Sequence, residues 1–175
     1  SIPFAVKLSP YYAALANFAG RVVDAGADGL VLFNRFYQPD LDLDTFDVVT
    51  KVSLSHPSEL RMPLRWIAIL RPQLGAGTGL AASTGIHSGT DSVKALSVGA
   101  DIVMMASAIL RNGAGHVGTV EQELVAWLEE REYEGVSQLR GSASAATVAN
   151  PTAYERANYL KTLHSWSTPT ELATF

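Results

Sequence analysis

Apolar positions along the chain alternate between short unbroken runs and longer stretches spaced like one face of a helix. Phe4-Ala5-Val6-Lys7-Leu8 is the first run, interrupted only by Lys7 and closed by Ser9-Pro10. Leu15, Phe18, Ala19, Val22 and Val23 then follow the spacing of one helix face, with Gly26 as a stop. Gly29-Leu30-Val31-Leu32-Phe33 is a second strand-like run ending at Asn34. Leu80-Ala81-Ala82 is a third, followed by the small turn Ser83-Thr84-Gly85 and by Ser88-Gly89-Thr90-Asp91, which has the form of a capping box. Val93, Ala95 and Leu96 continue from it as a short helix, a fourth strand follows at 101–105, and Val117, Val120, Leu124, Trp127 and Leu128 mark a long amphipathic helix. "RWIAIL" (65–70) has the composition of a strand, yet as a helix it leaves four regular strand-helix units, with strands near 3–8, 29–33, 79–83 and 101–105. Unbroken apolar strands separated by helices predict a parallel sheet buried on both faces.

A weak internal repeat supports that architecture. Gly26-Ala27-Asp28 recurs as Gly99-Ala100-Asp101, each time just before a strand. The separation is about two strand-helix units of roughly 35 residues. In this register Asn34 and Ser107 occupy equivalent places, just past the C-terminal end of a strand. Residues 35–56 are too many for a simple connection and predict a functional excursion. After Gly141 the chain becomes small and polar ("GSASAATVANPTA"), a linker pattern before a short helix expected at Tyr154–Leu163.

Composition narrows the function classes. With 175 residues, 47% hydrophobic and 17% charged, the chain can bury the core of one globular domain. A net charge of −4 without a Lys/Arg run argues against nucleic acid or an anionic membrane as partner. The absence of cysteine excludes disulfides, thiolate metal sites and a cysteine nucleophile within these residues. The longest apolar run, Ile102 to Leu110, is too short to span a bilayer, and a cytoplasmic location is expected. "SIPFAVKL" enters a strand with no initiator Met or polar lead-in, as in a chain that starts inside a larger fold.

Four parallel units could form a small open sheet or half of a (β/α)8 barrel, which needs about 250 residues when complete. The barrel half is favoured by the abrupt start inside a strand. In such a barrel ligands sit at the C-terminal strand ends, and phosphate sites tend to follow strands seven and eight. Here those ends carry Ser83-Thr84-Gly85 and Ala106-Ser107, where small residues let backbone N–H groups approach an anion beside a helix start.

The ordered motifs "VKLSPYY", "GADGLVLFN", "STGIHSGTDSVKALSVGADIVMMASAIL" and "EYEGVSQLRGSAS" resemble the C-terminal half of dihydroorotate dehydrogenases, closest to the dihydroorotate dehydrogenase-like group. The resemblance covers residues 3 to about 144, and "NPTAYERANYLKTL" also suits that group. It implies a flavin-binding (β/α)8 barrel of which this chain supplies strands five to eight in residues 1–144, with 145–175 as a C-terminal extension. It further implies FMN as cofactor, with Lys7 near N1 and O2 of the isoalloxazine and with Ser83, Thr84, Gly85, Ala106 and Ser107 in the two phosphate turns. Asn34 would hydrogen-bond a dihydropyrimidine-like substrate, and the catalytic base would lie outside these residues. The missing half, or a second copy of the chain, would complete the barrel. The chain departs from the pattern at Thr84, where a glycine is usual, at Ala106-Ser107 and at Arg35. It departs again at "SLSHPSEL", where a glycine-rich turn is usual.

Plainer readings stand beside each assignment. Lys7 could be a strand-end lysine reaching solvent, Asn34 a strand terminator, and Ser83–Gly85 a tight turn and nothing more. "GAGTG" (75–79) precedes a strand instead of following one, so it is read as a flexible loop and not as a nucleotide loop. His56, His87, His116 and His164 lack metal-ligand spacing, Trp66 and Trp127 are expected in the core, and Asp40, Asp42, Asp44 and Asp47 on a solvated loop. Two alternatives to the flavin enzyme remain: a flavin-free barrel that binds a phosphorylated metabolite, and a non-catalytic half-barrel that dimerises.

Overall fold

Residues 2–36, 38–155 and 159–165 are described in the computed structural model. Four strands, β1 (Ala5–Leu8), β2 (Gly29–Leu32), β5 (Gly79–Ser83) and β6 (Ile102–Met104), form one parallel sheet in that spatial order. β3 (Asp40–Leu41) and β4 (Val48–Val49) pair separately as an antiparallel ribbon. The helices between the sheet strands are α1 (Leu15–Asp24), α2 (Arg61–Leu74) and α3 (Gly89–Ser97), and α4 (Ser107–Asn112) and α5 (His116–Glu130) follow β6. "RWIAIL" thus lies inside α2, and the helix expected from the capping box begins at Gly89 with Ser88 Oγ accepting from the Asp91 N–H.

Spatial order equals chain order, so every crossover advances the same way; crossovers of one hand, as is general for parallel strands, lay their helices on the same side, and α1, α2 and α3 share one core cluster. The register shows the result. Leu8, Leu32, Ala82 and Val103 stand in one row across the four strands and point into the core with Leu15, Ile67, Leu70 and Ala95 of the helices. The adjacent row, Lys7, Val31, Ala81 and Ile102, points the other way. Its flanks are open, with Ile102 60% and Met104 42% exposed. The expectation of a sheet covered on both faces holds only in part: the helices of a singly wound sheet lie on one side, and on the other the edge around Ile102 is open while Ala81 in the interior is buried.

The internal repeat is a structural device. Asp28 Oδ2 accepts from the Phe4 N–H at 2.8 Å, and Asp101 Oδ2 accepts from the Leu80 N–H at 2.7 Å. The Asp28 N–H donates to Phe4 O and the Asp101 N–H to Leu80 O, at 3.0 and 2.7 Å. Each aspartate thus ties the beginning of its own strand to the beginning of a neighbouring one. Ala27 and Ala100 are buried beneath, and Gly26 and Gly99 close their helices with N–H bonds to Val23 O and Leu96 O. The second copy carries more. Arg71 on α2 pairs with Asp101 and donates to Gly99 O, Gly75 O and Thr78 O, while Arg140 reaches Asp101 Oδ1 at 2.9 Å. The glycine-rich stretch 75–79, expected to be flexible, is held by these Arg71 bonds.

The excursion at 35–56 contains the β3–β4 ribbon, its turn closed by Asp42 Oδ1 accepting from the Asp44 and Thr45 N–H groups. The segment after Gly141 is joined to the body by Gly141 N–H to Leu96 O, Ala143 N–H to Ser97 O and Ala145 N–H to Ala68 O. Tyr154, in a 3₁₀ turn at Pro151–Tyr154, donates its hydroxyl to Ala143 O and accepts from Arg65 on its own carbonyl. A short helix follows at Tyr159–Leu163; residues 156–158 of the helix expected at Tyr154–Leu163 lie outside the described residues. Trp66 and Trp127 are half-buried at the margins of the core, each beneath an arginine.

Candidate phosphate and cofactor cleft

The C-terminal ends of the four sheet strands meet the returning limb of the excursion. Lys7 stands on β1 and is exposed; Asn34, just past β2, is fixed by its N–H bond to Leu8 O at 2.7 Å. β5 ends in Ser83, whose carbonyl accepts from the Phe33 N–H, and the chain then turns through two left-handed residues, Thr84 (φ 84°) and Gly85 (φ 79°). A left-handed conformation is natural for glycine and strained for a β-branched residue, so Thr84 sits where a glycine would be at ease. Gly85 answers to a second demand: a Cβ there would stand 2.4 Å from Leu60 N.

Leu60 ends a 3₁₀ turn, Pro57–Leu60, that leads into α2. The turn is closed by His56 Nδ1 accepting from the Ser58 N–H and by Glu59 Oε1 accepting from the His56 N–H at 2.7 Å. Arg35 grips the Glu59 carboxylate with Nε and Nη2, at 2.9 and 3.2 Å, and also donates to Ser53 O. Burial works against the charge on Glu59, but the Arg35 hydrogen bond, the His56 N–H and the Arg35 charge together hold its pKa below the usual value.

This arrangement delivers Ser55 to the strand ends. The Ser55 N–H donates to Ser107 Oγ at 2.9 Å, and Ser55 Oγ lies 3.3 Å from His87 Nε2. His116 Nε2 donates to His87 O at 2.8 Å, which fixes its ring proton on that nitrogen. Burial lowers the His87 pKa, aided by the charge of Arg111 and by His56; Asp91 and a hydrogen bond at Ser55 oppose the shift.

A cavity of about 250 Å³ opens between these elements. Lys7, Asn34, Ser83, Thr84, Gly85, Ala106 and Ser107 all line it, so the seven residues singled out from sequence share one cavity. Arg35, Ser55, Ile86, Met104 and Met105 complete the lining, which holds two cations and no carboxylate among the described residues. A second cavity of about 370 Å³ shares Asn34, Arg35 and Thr84 with the first. Its wall includes the edge-to-face pair Tyr11 and Phe36, 5.5 Å between centroids, with Phe33 and Met62. Sequence reasoning missed Ser55, Arg35 and His87 as members of the cleft. The signal for Ser55 is the start of the Pro57–Leu60 turn behind it, in the stretch "SLSHPSEL" that departs from the family pattern.

No protein-family model matches the chain. Among curated proteins it is 36% identical to a fumarate-type dihydroorotate dehydrogenase A of Lacticaseibacillus paracasei, over 62% of this chain and 38% of that protein. It is 30% identical to the catalytic subunit of an NAD-type dihydroorotate dehydrogenase B of Pelobacter propionicus, over 80% of this chain and 46% of that protein. A shorter match, 41% identical over 46% of this chain and 22% of that protein, is to an isopentenyl-diphosphate delta-isomerase of Chlorobium luteolum. The chain therefore spans less than half the length of these relatives. In fold it is similar to the ligand-free dihydroorotate dehydrogenase of Eimeria tenella, with a TM-score of 0.64 and 22% identity over 78% of this chain and 38% of that one. Over most of its length, in sequence and in its parallel α/β fold, the chain is dihydroorotate dehydrogenase-like.

Proposed function

We propose that the chain is the C-terminal half, strands five to eight, of an FMN-dependent (β/α)8 oxidoreductase of the dihydroorotate dehydrogenase type. The observation that carries this reading is the shared cavity at the strand ends, lined by Lys7, Asn34 and both small-residue turns, with no carboxylate among its described lining residues. Serine hydroxyls and a left-handed backbone turn suit the dianionic end of FMN, with Lys7 left to the ring system and the charge of Arg35 shared with Glu59. Ser83, Thr84, Gly85, Ala106 and Ser107 would hold the phosphate. When bound, the flavin supplies a two-electron acceptor for hydride from a dihydropyrimidine-like substrate. Lys7 would set positive charge beside the ring system, and the Asn34 amide offers both a donor and an acceptor to such a substrate. The open sheet face around Ile102 and Met104 supports the half-barrel, since parallel sheets are ordinarily covered on both sides. Its cover would be four further strand-helix units or a second copy of the chain.

The test is flavin uptake by the full-length protein with both halves of the barrel, followed by the absorbance band at ~450 nm and by fluorescence quenching. FMN is expected to bind, and Lys7→Gln is expected to alter the redox behaviour of the bound flavin while leaving the fold intact. A full-length protein that carries both halves of the barrel and takes up no FMN would overturn the proposal. The similarity to an isopentenyl-diphosphate delta-isomerase favours one second reading, a cleft for a phosphorylated metabolite. Binding of a prenyl diphosphate without any flavin would select it.

A further inference from the structure

The cleft contains a hydrogen-bonded chain that joins one of the seven sequence-selected residues, Ser107, to two residues outside that set: His87 to Ser55 Oγ, and Ser55 N–H to Ser107 Oγ. Both serines line the cavity; His87 stands behind them and touches it only through Ser55. We propose that His87 is a positioning residue that sets the hydrogen-bond polarity of the Ser55 hydroxyl, and that a phosphate in the cleft is bound together with a proton on His87. This rests on the reading of the cleft as a phosphate site.

The mechanism follows from donor and acceptor counts. Ser107 Oγ accepts from the Ser55 N–H, so its own proton is left for an anion. Ser55 has one hydroxyl proton. If Nε2 of neutral His87 is bare, that proton goes to the ring and Ser55 presents only lone pairs to the cavity, which repel a phosphate oxygen. If Nε2 carries a proton, His87 donates to Ser55 Oγ, and the Ser55 proton turns toward the anion. An imidazolium guarantees the second arrangement and adds a positive charge within one hydroxyl of the ligand.

Every element packed around His87 bears on that proton. Burial disfavours it most, Arg111 from α4 and His56 from the excursion disfavour it as well, and Asp91 from α3 and a hydrogen bond at Ser55 favour it. His116 from α5 is committed to His87 O. A dianion in the cleft adds negative charge without removing any of these groups, so it raises the affinity of His87 for a proton. The sign follows from linkage. The contribution is full below the pKa of His87 in the free protein and is lost as pH rises through the pKa in the complex. The ionisation of the phosphate itself, with a pKa near ~6, is common to all protein variants and cancels in their comparison.

The experiment measures the His87 ring titration by NMR with and without inorganic phosphate, and FMN and riboflavin affinities between about pH 5.5 and pH 8. The expected results are an upward shift of the His87 titration by phosphate and a wild-type FMN affinity that falls about threefold or more across that range relative to His87→Gln. The Gln amide mimics a protonated Nε2 without titrating, so His87→Gln should bind FMN well with only the phosphate's own pH dependence. His87→Phe should bind FMN weakly, and riboflavin, which lacks the phosphate, should show no His87 dependence. A His87 titration unmoved by phosphate overturns the proposal. So does FMN binding whose pH profile is the same in wild type and His87→Gln, and that result leaves the flavin reading standing. A His87 shift with phosphate but no uptake of FMN would support the relay and sink the flavin reading.

Discussion

Gly85 allows the two explanations of the small-residue turn, ligand approach and internal packing, to be separated. Gly85→Ala adds one methyl at a residue with φ 79°, pointing at the backbone of Leu60, with Leu60 N at 2.4 Å and its Cα at 2.9 Å. Left-handed backbone costs an L-residue about 1–2 kcal/mol. The loss of unfolded-state freedom on replacing glycine returns about 0.4–1 kcal/mol. The clash comes on top, and its partner is the end of a hydrogen-bonded 3₁₀ turn instead of a flexible side-chain tip. Overpacking of that kind costs about 1–3 kcal/mol. The expected total is about 3 kcal/mol. Gly141 provides the control: it is the third residue of a turn closed by the Ser142 N–H on Leu139 O, its φ is 78°, and a Cβ there would meet no atom within 4 Å. Gly141→Ala should therefore cost only about 1 kcal/mol. Urea unfolding followed by far-UV circular dichroism measures both. Equal losses in the two variants would refute the packing explanation and return the turn to ligand approach alone.

Asp101→Ala should destabilise the chain by roughly 2–3 kcal/mol, because it strips Arg71 and the Leu80 N–H of a partner in a largely buried network. Asp28→Ala, which removes the one equivalent bond at an exposed position, should cost about 1 kcal/mol, and denaturant midpoints will rank the two. Thr84→Gly should leave stability unchanged or raise it by about 0.5 kcal/mol, since relief of a left-handed threonine offsets the added chain freedom and the long 3.4 Å bond to Phe33 O contributes little. Glu59 has a lowered pKa in the folded chain, so its contribution is present above the unfolded carboxylate pKa and lost as pH falls through the folded value. Glu59→Gln should accordingly flatten the acid limb of a stability-against-pH curve, and an unaltered limb would count against the Arg35–Glu59 pair as its source.

The strand-helix alternation was legible because it depends on local spacing: the row Leu8, Leu32, Ala82 and Val103 comes from runs that are apolar in the sequence itself. The Gly-Ala-Asp repeat was legible as a pattern, but its purpose was not, since the partners of the aspartates lie on other strands. The open face was hidden for a related reason. An unbroken apolar strand such as Gly29–Leu32 has the same sequence whether its second face meets helices, another half of a barrel or solvent. Spacing reports what a strand is willing to bury and not what is there to bury it.

The cleft divides along the same line. Residues at strand ends could be found from sequence because a parallel sheet gathers its C-terminal ends on one side, and that geometry brings Lys7, Ser83 and Ala106 to one cavity. Ser55 arrives by another route, on a loop whose path is set by the Pro57–Leu60 turn, the Arg35–Glu59 pair and the bond to Ser107. None of these is periodic. The two demands meet at Gly85: it is small because Leu60, the last residue of that turn, occupies the space where its side chain would go. The same contact that forbids a Cβ at Gly85 therefore holds the 3₁₀ turn, and with it Ser55, against the strand ends. Under the proposed function, packing and phosphate binding become one constraint at this point, and a change that relaxes the first should loosen the second.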